Sequence, residues 1–422
     1  MTLASRLLAG DSAILNEVCR GLIHVANDNL IARPWGGHQL PAFKGVSPKG
    51  DGPVGETFEL SAYPADAEAA ANPSKVRLAD GSIIDLPSLI ESAAEAILGS
   101  RVKSRHGAAL PLLPKFLNVK SLLSVQAHPA GNPECYIVLE AEAGASLRLG
   151  FARNVDAQDL GSRCQRGRAA QEALLELAGS RLDAGNLQVL VAPLLAQREA
   201  DTAALDALYD RLAQDTMERE RVRHLYRDIH QTYWHVLDSM NEIEVRPGQV
   251  IFNGTPARLR QNGICSAEVH ALGNPLEKEM LLLEIRKPGT TYRAWDNARF
   301  PLREIGIESA MQSVNLTATT ATDFCVGFLA DSAPHGATAL AACADFVIEH
   351  LRIPAGRKLV FETRGGPVSL QCLAGVAECT AVSGEALGQL QRGSSAMAPA
   401  ALGEMTISAT AADVDIIATR IL

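Results

Sequence analysis

No part of the 422-residue chain carries the roughly 18 consecutive apolar residues that a membrane-spanning helix requires. The richest apolar stretches, residues 187–196 and 280–285, stop short of that length, and Pro193 interrupts the first. No membrane partner is expected. The opening segment, MTLASRLLAGDSAILNE, lacks an apolar core followed by a small-residue cleavage site, because Asp11 and Glu17 break it, and a cytoplasmic location is expected. Positive charge is also in deficit: 39 Lys and Arg stand against 48 Asp and Glu, a net charge of −9. That balance disfavours an electrostatic grip on nucleic acid, so no nucleic-acid partner is expected and a small-molecule ligand is. The eight cysteines include no CxxC pair and are too dilute to form a disulfide framework. There is no GxGxxG before a helix, no GxxxxGK[ST] and no GxSxG, so nucleotide-cradling loops and acyl-serine chemistry have no footing.

What is present is the composition of a folded globular protein, 47% hydrophobic and 21% charged. Its length suits two or three domains. From 30 to 150 short apolar runs alternate with turn clusters (RPWGG, SPKGDGPVGE, ADGS, HPAGNPE), which predicts antiparallel β structure broken by one helix near 86–98. Between 155 and 240 the apolar residues Leu205, Leu208, Leu212, Val222, Leu225, Ile229, Tyr233 and Leu237 fall mostly three or four apart, which predicts amphipathic helix with Asp201 as a cap. Strand patterns resume at IEVRPGQVIF, SAEVHAL and EMLLLEI, and a final set of short strands extends to the C-terminus. The expected division is 1–154 and 241–300 as two parts of one β domain, 155–240 as a helical insert, and 301–422 as a second β domain. The fold class is therefore mainly β with a helical insert.

The sharpest local feature is Ser124-Val125-Gln126-Ala127-His128-Pro129, with Glu134 beyond a Gly-Asn-Pro turn. Residues i and i+2 of a strand share a face, so Gln126 and His128 converge, and Glu134 is expected to return to them from the neighbouring strand. An amide oxygen, an imidazole and a carboxylate make a ligand set for zinc or another divalent transition metal. Spacing alone equally allows a polar residue before a turn and a solvated hairpin carboxylate. A second His, His270, lies on the strand-like SAEVHAL, and the pairing of the two segments is similar to the pattern of metal-binding cupin barrels. His224, His230 and His235 have spacings unlike HExxH and read as exposed or packed imidazoles.

The wider sequence resembles the type I mannose-6-phosphate isomerases, a cupin (jelly-roll) family with a further cupin-like β domain at its C-terminal end. The resemblance is carried by Arg33-Pro34-Trp35-Gly36-Gly37, Gly55-Glu56-Thr57, Ser61-Ala62-Tyr63-Pro64, the 111–117 run PLLPKFL, the 123–129 run LSVQAHP, Pro247-Gly248, Val269-His270-Ala271, the 282–285 run LLEI and the 290–293 run TTYR. These occur in the family's order over 33–299; Arg392-Gly393 and Ala398-Pro399 resemble its last domain more weakly. The resemblance implies one zinc ion per chain held by Gln126, His128, Glu134 and His270. It implies Arg293 as a catalytic residue, with Lys115, Ser124, Trp35 and Glu56 facing or near the substrate. It implies interconversion of mannose 6-phosphate and fructose 6-phosphate through an enediol. An iron cupin oxygenase and a non-catalytic sugar-binding cupin are the alternatives. The chain departs from the family in its short 128–134 segment, in Asn132 where Lys is common, and in Tyr63 and Glu268.

Overall fold

The computed structural model describes residues 1–48, 50–179, 181–199, 201–260, 262–329 and 335–422. The alternating sequence over 30–150, joined by strands after 240, forms two facing antiparallel sheets. One has seven strands in the order Cys325–Phe328, Gln249–Asn253, Glu134–Ala141, Met280–Arg286, Leu113–Val119, Leu30–Gly37, Val54–Phe58. The other has five, in the order Met240–Glu244, Ser146–Phe151, His270–Leu272, Val125–Ala127, Tyr292–Trp295. Leu117, Val138 and Leu282 from the first sheet meet Leu147, Leu149 and Leu272 from the second in one apolar core. Burying side chains of this size contributes roughly 1.5–3 kcal/mol each.

The central strand Met280–Arg286 is buried along its whole length. Its outer face, Leu281, Leu283 and Ile285, packs with Leu89, Ile90, Ile97 and Leu98 of the helices Leu86–Ser92 and Ala94–His106. Cover on both faces explains why MLLLEIR is a continuous apolar run and not an alternating one. A second pair of sheets follows, with six strands and four. Leu370, Ile416 and Ala418 of the larger meet Ala377, Ile407 and Leu390 of the smaller.

Two pairings cross the expected boundaries. Ile23–His24, near the N-terminus, joins the edge strand Ser395–Ala398, and Cys325–Phe328 joins Gln249–Asn253. Each satisfies backbone donors and acceptors along a strand that would otherwise be an open edge.

The insert comprises Ala157–Ala178, Ala184–Leu195, Thr202–Leu212 and Thr216–Ser239. Each begins after an aspartate, Asp156, Asp183, Asp201 or Asp215, whose side chain accepts a backbone N–H of the first turn at 2.8 Å. A cap of this kind stabilises a helix by about 1 kcal/mol. Val222, Tyr226, Ile229, Tyr233 and Leu237 form the buried stripe of the last helix. That helix crosses Ala157–Ala178 so closely at Gly167 that a Cβ there would lie 2.7 Å from Thr232 Cγ2 and from Trp295. Trp295 ends a strand of the five-stranded sheet, so the contact seats the insert beside the sheet that carries Gln126, His270 and Arg293. No helix among the described residues is long and apolar enough to cross a membrane.

Candidate metal and catalytic site

Strand register assembles the site. On the five-stranded sheet Gln126 is opposite His270 on one side and Arg293 on the other, so these three lie in one row. On the facing sheet Glu134 is opposite Asn253 and Arg286, while two residues along Glu284 is opposite Tyr136 and Lys115. The pleat places Glu134 with Tyr136, and Glu284 with Arg286, on common faces. All nine residues named from the sequence, Trp35, Glu56, Lys115, Ser124, Gln126, His128, Glu134, His270 and Arg293, line a single cleft. The route of Glu134 differs from the expectation. Its strand does not pair with Val125–Ala127; the turn carries the chain across to the opposite sheet, and Glu134 faces His128 over the interior. Gly131, at φ 84°, supplies the left-handed backbone that this crossing uses.

His128, Glu134 and His270 are buried, and their ligand atoms all lie within 4.8 Å of one another. His128 Nδ1 donates to the Thr290 carbonyl at 3.1 Å, and His270 Nδ1 donates to the Glu268 carbonyl at 2.9 Å. Each Nδ1 therefore carries the proton, and each Nε2 presents a lone pair. The two Nε2 atoms point at Glu134, 2.9 Å from Oε1 for His128 and 3.5 Å from Oε2 for His270. His128 Nε2 nonetheless has no hydrogen-bond partner. A buried acceptor facing a carboxylate across so short a gap is an arrangement that could hold a metal ion. The donor set fits zinc: two neutral imidazoles, one carboxylate, and the Gln126 amide on the same cleft wall. Glu134 Oε2 also accepts from Tyr136 Oη at 2.5 Å and from Asn253 Nδ2 at 3.2 Å, while Asn253 Oδ1 accepts the Glu268 N–H at 2.8 Å. These bonds fix the carboxylate's orientation.

Burial pushes the Glu134 carboxyl up, but positive charge on the imidazole side of the site outweighs it and holds the group well below the usual range; a metal ion bound by neutral imidazoles would supply that charge. Burial pulls His270 down, which favours its neutral, ligating form. Tyr136 is pushed well above the ordinary phenol value by burial and by Glu134, so it remains a donor.

Beside this group runs a ladder of charge. Lys115 Nζ lies 3.4 Å from Glu56, 3.7 Å from Glu68 and 4.0 Å from Glu284, above the face of Phe58. Arg286 pairs with Asp66 at 3.1 Å and approaches Glu284 at 3.9 Å, and Arg33 holds Glu56 at 2.5 Å. Arg293 is half-buried; its guanidinium lies 3.8 Å from Glu68, and its Nε has no partner. Asp296 is taken by Arg303. Glu284 is raised to about 7, first by burial and then by the charge of Glu134. Glu284, Arg286, Tyr136, Asn253 and Glu68 are not among the site residues expected from the sequence. The signal for the first two was present: a carboxylate and a guanidinium inside the apolar run MLLLEIR require partners. The declined histidines are elsewhere: His230 bonds the Gln197 carbonyl at 2.8 Å, and His224 approaches Asp228.

No protein-family model matches the chain. No curated protein matches it. Solved structures do. A point mutant of phosphomannose isomerase from Salmonella typhimurium is 17% identical with a TM-score of 0.59, over 95% of this chain and 99% of that one. A zinc-bound mannose 6-phosphate isomerase is 18% identical with a TM-score of 0.58, over 95% and 100%. A mannose 6-phosphate isomerase bound with zinc and yttrium is 19% identical with a TM-score of 0.58, over 95% and 99%. The likeness is one of fold, and it extends over nearly the whole of each chain.

Proposed function

We propose that the protein is a zinc-dependent aldose–ketose isomerase that interconverts mannose 6-phosphate and fructose 6-phosphate, or a close sugar-phosphate pair. The observation that carries this reading is the orphaned Nε2 of His128, aimed with His270 at one carboxylate on the floor of a cleft lined by Lys, Arg and Glu. Gln126, His128, Glu134 and His270 would hold the metal. A bound zinc supplies a Lewis acid for the negative charge that develops on a sugar oxygen during enolisation.

The remaining roles belong to the chain's own side chains. Moving a proton between adjacent carbons needs a base that is partly ionised near neutral pH, and Glu284, raised to about 7, fits that task. Lys115, hemmed by Glu56, Glu68 and Glu284, suits a sugar hydroxyl better than a phosphate dianion. Arg293 has an uncommitted guanidinium edge with which to hold the enediolate or the oxygens beside it. Ser124, Trp35 and Glu56 shape the wall. A raised carboxyl beside a lysine serves proton transfer, and an iron oxygenase has no use for it. The division 1–154, 155–240, 241–300 and 301–422 is proposed with this reading, with both β parts of the first domain contributing to the cleft. Incubating zinc-loaded protein with mannose 6-phosphate and measuring fructose 6-phosphate is the test; no conversion with stoichiometric zinc refutes the reading.

A further inference from the structure

Glu68 reaches the cleft from a short helix, Ala67–Ala71, while its neighbours Glu56, Lys115 and Arg293 come from strands. The helix is held from behind the site. Asp66 Oδ1 caps it through the N–H groups of Glu68 and Ala69 at 3.0 and 2.9 Å, and Asp66 Oδ2 accepts from Arg286 at 3.1 Å and from the Gly289 N–H at 2.8 Å. Ser61 Oγ donates to the Ala69 carbonyl at 3.0 Å, and Ala69 packs against Phe58 and Leu113. The backbone at Glu68 is thus fixed, while 41% of its side chain is exposed in the cleft.

The two oxygens of Glu68 face different cations: Oε2 lies 3.7 Å from Lys115 Nζ and Oε1 lies 3.8 Å from an Arg293 Nη. Neither distance is a hydrogen bond. Among the described residues, Glu68 is the one carboxylate within 4 Å of Arg293, so it occupies the place that an anionic group of a ligand would take. Burial raises the Glu68 carboxyl, but Lys115, Arg286, Arg33 and Arg293 outweigh it and keep the group ionised. A sugar hydroxyl entering this space donates to Glu68 and accepts from Lys115 or Arg293 at the same time. A phosphate dianion has only acceptors to offer and meets a fixed like charge.

We propose that Glu68 is a specificity-determining residue: its carboxylate accepts hydrogen bonds from sugar hydroxyls at the Lys115–Arg293 end of the cleft and keeps phosphate out of that end. The proposal rests on the isomerase reading for its substrate and adds the orientation, with the phosphate of a sugar phosphate lying away from Arg293 and Lys115. The test uses the zinc-loaded full chain, with inorganic phosphate titrated by calorimetry into wild type, Glu68→Gln and Glu68→Ala. Both variants should bind phosphate at least tenfold more tightly than wild type, and the gain should disappear when Arg293→Ala is added. In Glu68→Gln, mannose 6-phosphate gains a reversed, non-productive mode with its phosphate at the Lys115–Arg293 end, so its kcat and KM should fall together while the ratio of kcat/KM for mannose 6-phosphate to that for mannose stays within about twofold of wild type. Phosphate affinities within twofold of wild type in both variants overturn the proposal, as does a rise in that ratio of about tenfold, which would place the productive phosphate beside Glu68. Should wild type convert neither sugar, the isomerase reading fails, and the phosphate titration still decides whether Glu68 excludes phosphate.

Discussion

His128 Nε2 and Glu134 Oε1 face each other at 2.9 Å across one cleft, and His128 Nε2 has no hydrogen-bond partner. Two groups held this close by separate backbones could share a metal ion, which would satisfy the unpartnered His128 nitrogen. Wild type should therefore bind one equivalent of zinc, and zinc should raise the thermal midpoint, because ligand that binds only the folded state stabilises it. His128→Ala should lose the metal while keeping its far-ultraviolet circular dichroism. Protein that purifies without metal and cannot be loaded with Zn²⁺, Mn²⁺ or Co²⁺ would contradict this.

Tyr136 and Asn253 touch Glu134 Oε2 and orient it without being ligands themselves. Removing such an orienting bond typically weakens metal affinity by about 10–100-fold. Tyr136→Phe and Asn253→Ala should each show a loss in that range by competition with a chelator of known affinity. Asn253→Ala should show the larger loss, because Asn253 also accepts the N–H of Glu268, two residues before His270. Unchanged zinc affinity in both variants would mean that the carboxylate is held by packing alone.

Much of this arrangement was legible in the sequence, and the part that was not has a physical cause. Alternation and turn clusters gave the strands, the spacing of apolar residues gave the helices of the insert, and Asp201 caps its helix as expected. Gln126, His128, Glu134 and His270 reach one cleft because residue type and resemblance pointed to the same positions. The path of Glu134 could not be read, because a turn sequence specifies a reversal but not which sheet the next strand joins. Glu68 left no signal in the sequence, and Glu284 showed only that a carboxylate inside an apolar run needs a partner, not which one. Glu284 depends on cross-strand register with Lys115 and Tyr136. Glu68 depends on a five-residue helix whose stability comes from Asp66 being anchored by distant Arg286 and Gly289.

Arg293 tests the chemistry separately from the metal. Its Nε is buried without a partner and its nearest carboxylate is loosely placed, so the group contributes little to folding as it stands. Arg293→Ala should lower kcat and kcat/KM together by about 10²–10³, the usual loss for one donor aimed at developing charge, with zinc content unchanged. Arg293→Lys should recover only part, since lysine keeps the charge and loses the planar fork. Near-normal activity per folded molecule, with a lowered thermal midpoint, would make Arg293 a structural residue.

Glu284 gives the pH dependence. Its carboxyl is raised to about 7 from an ordinary 4.5, first by burial and then by the neighbouring charge of Glu134. A carboxyl raised in the folded state binds its proton more tightly there than in the unfolded chain. Its contribution to stability is therefore full below pH 4.5 and is lost as pH rises through 7. Glu284→Gln imitates the protonated form at every pH. The thermal midpoint of metal-free Glu284→Gln should match wild type near pH 4.5 and exceed it by a few degrees at pH 8, a difference of roughly 3 kcal/mol at most. Bound zinc would offset the charge of Glu134, so the group should titrate lower in the zinc-loaded protein. The acid limb of kcat/KM should then fall between the two values, and Glu284→Gln should abolish both the limb and most of the rate. A stability difference that stays constant from pH 4.5 to 8 would show that Glu284 does not change its charge there, and an acid limb that survives in Glu284→Gln would assign the proton transfer to another group.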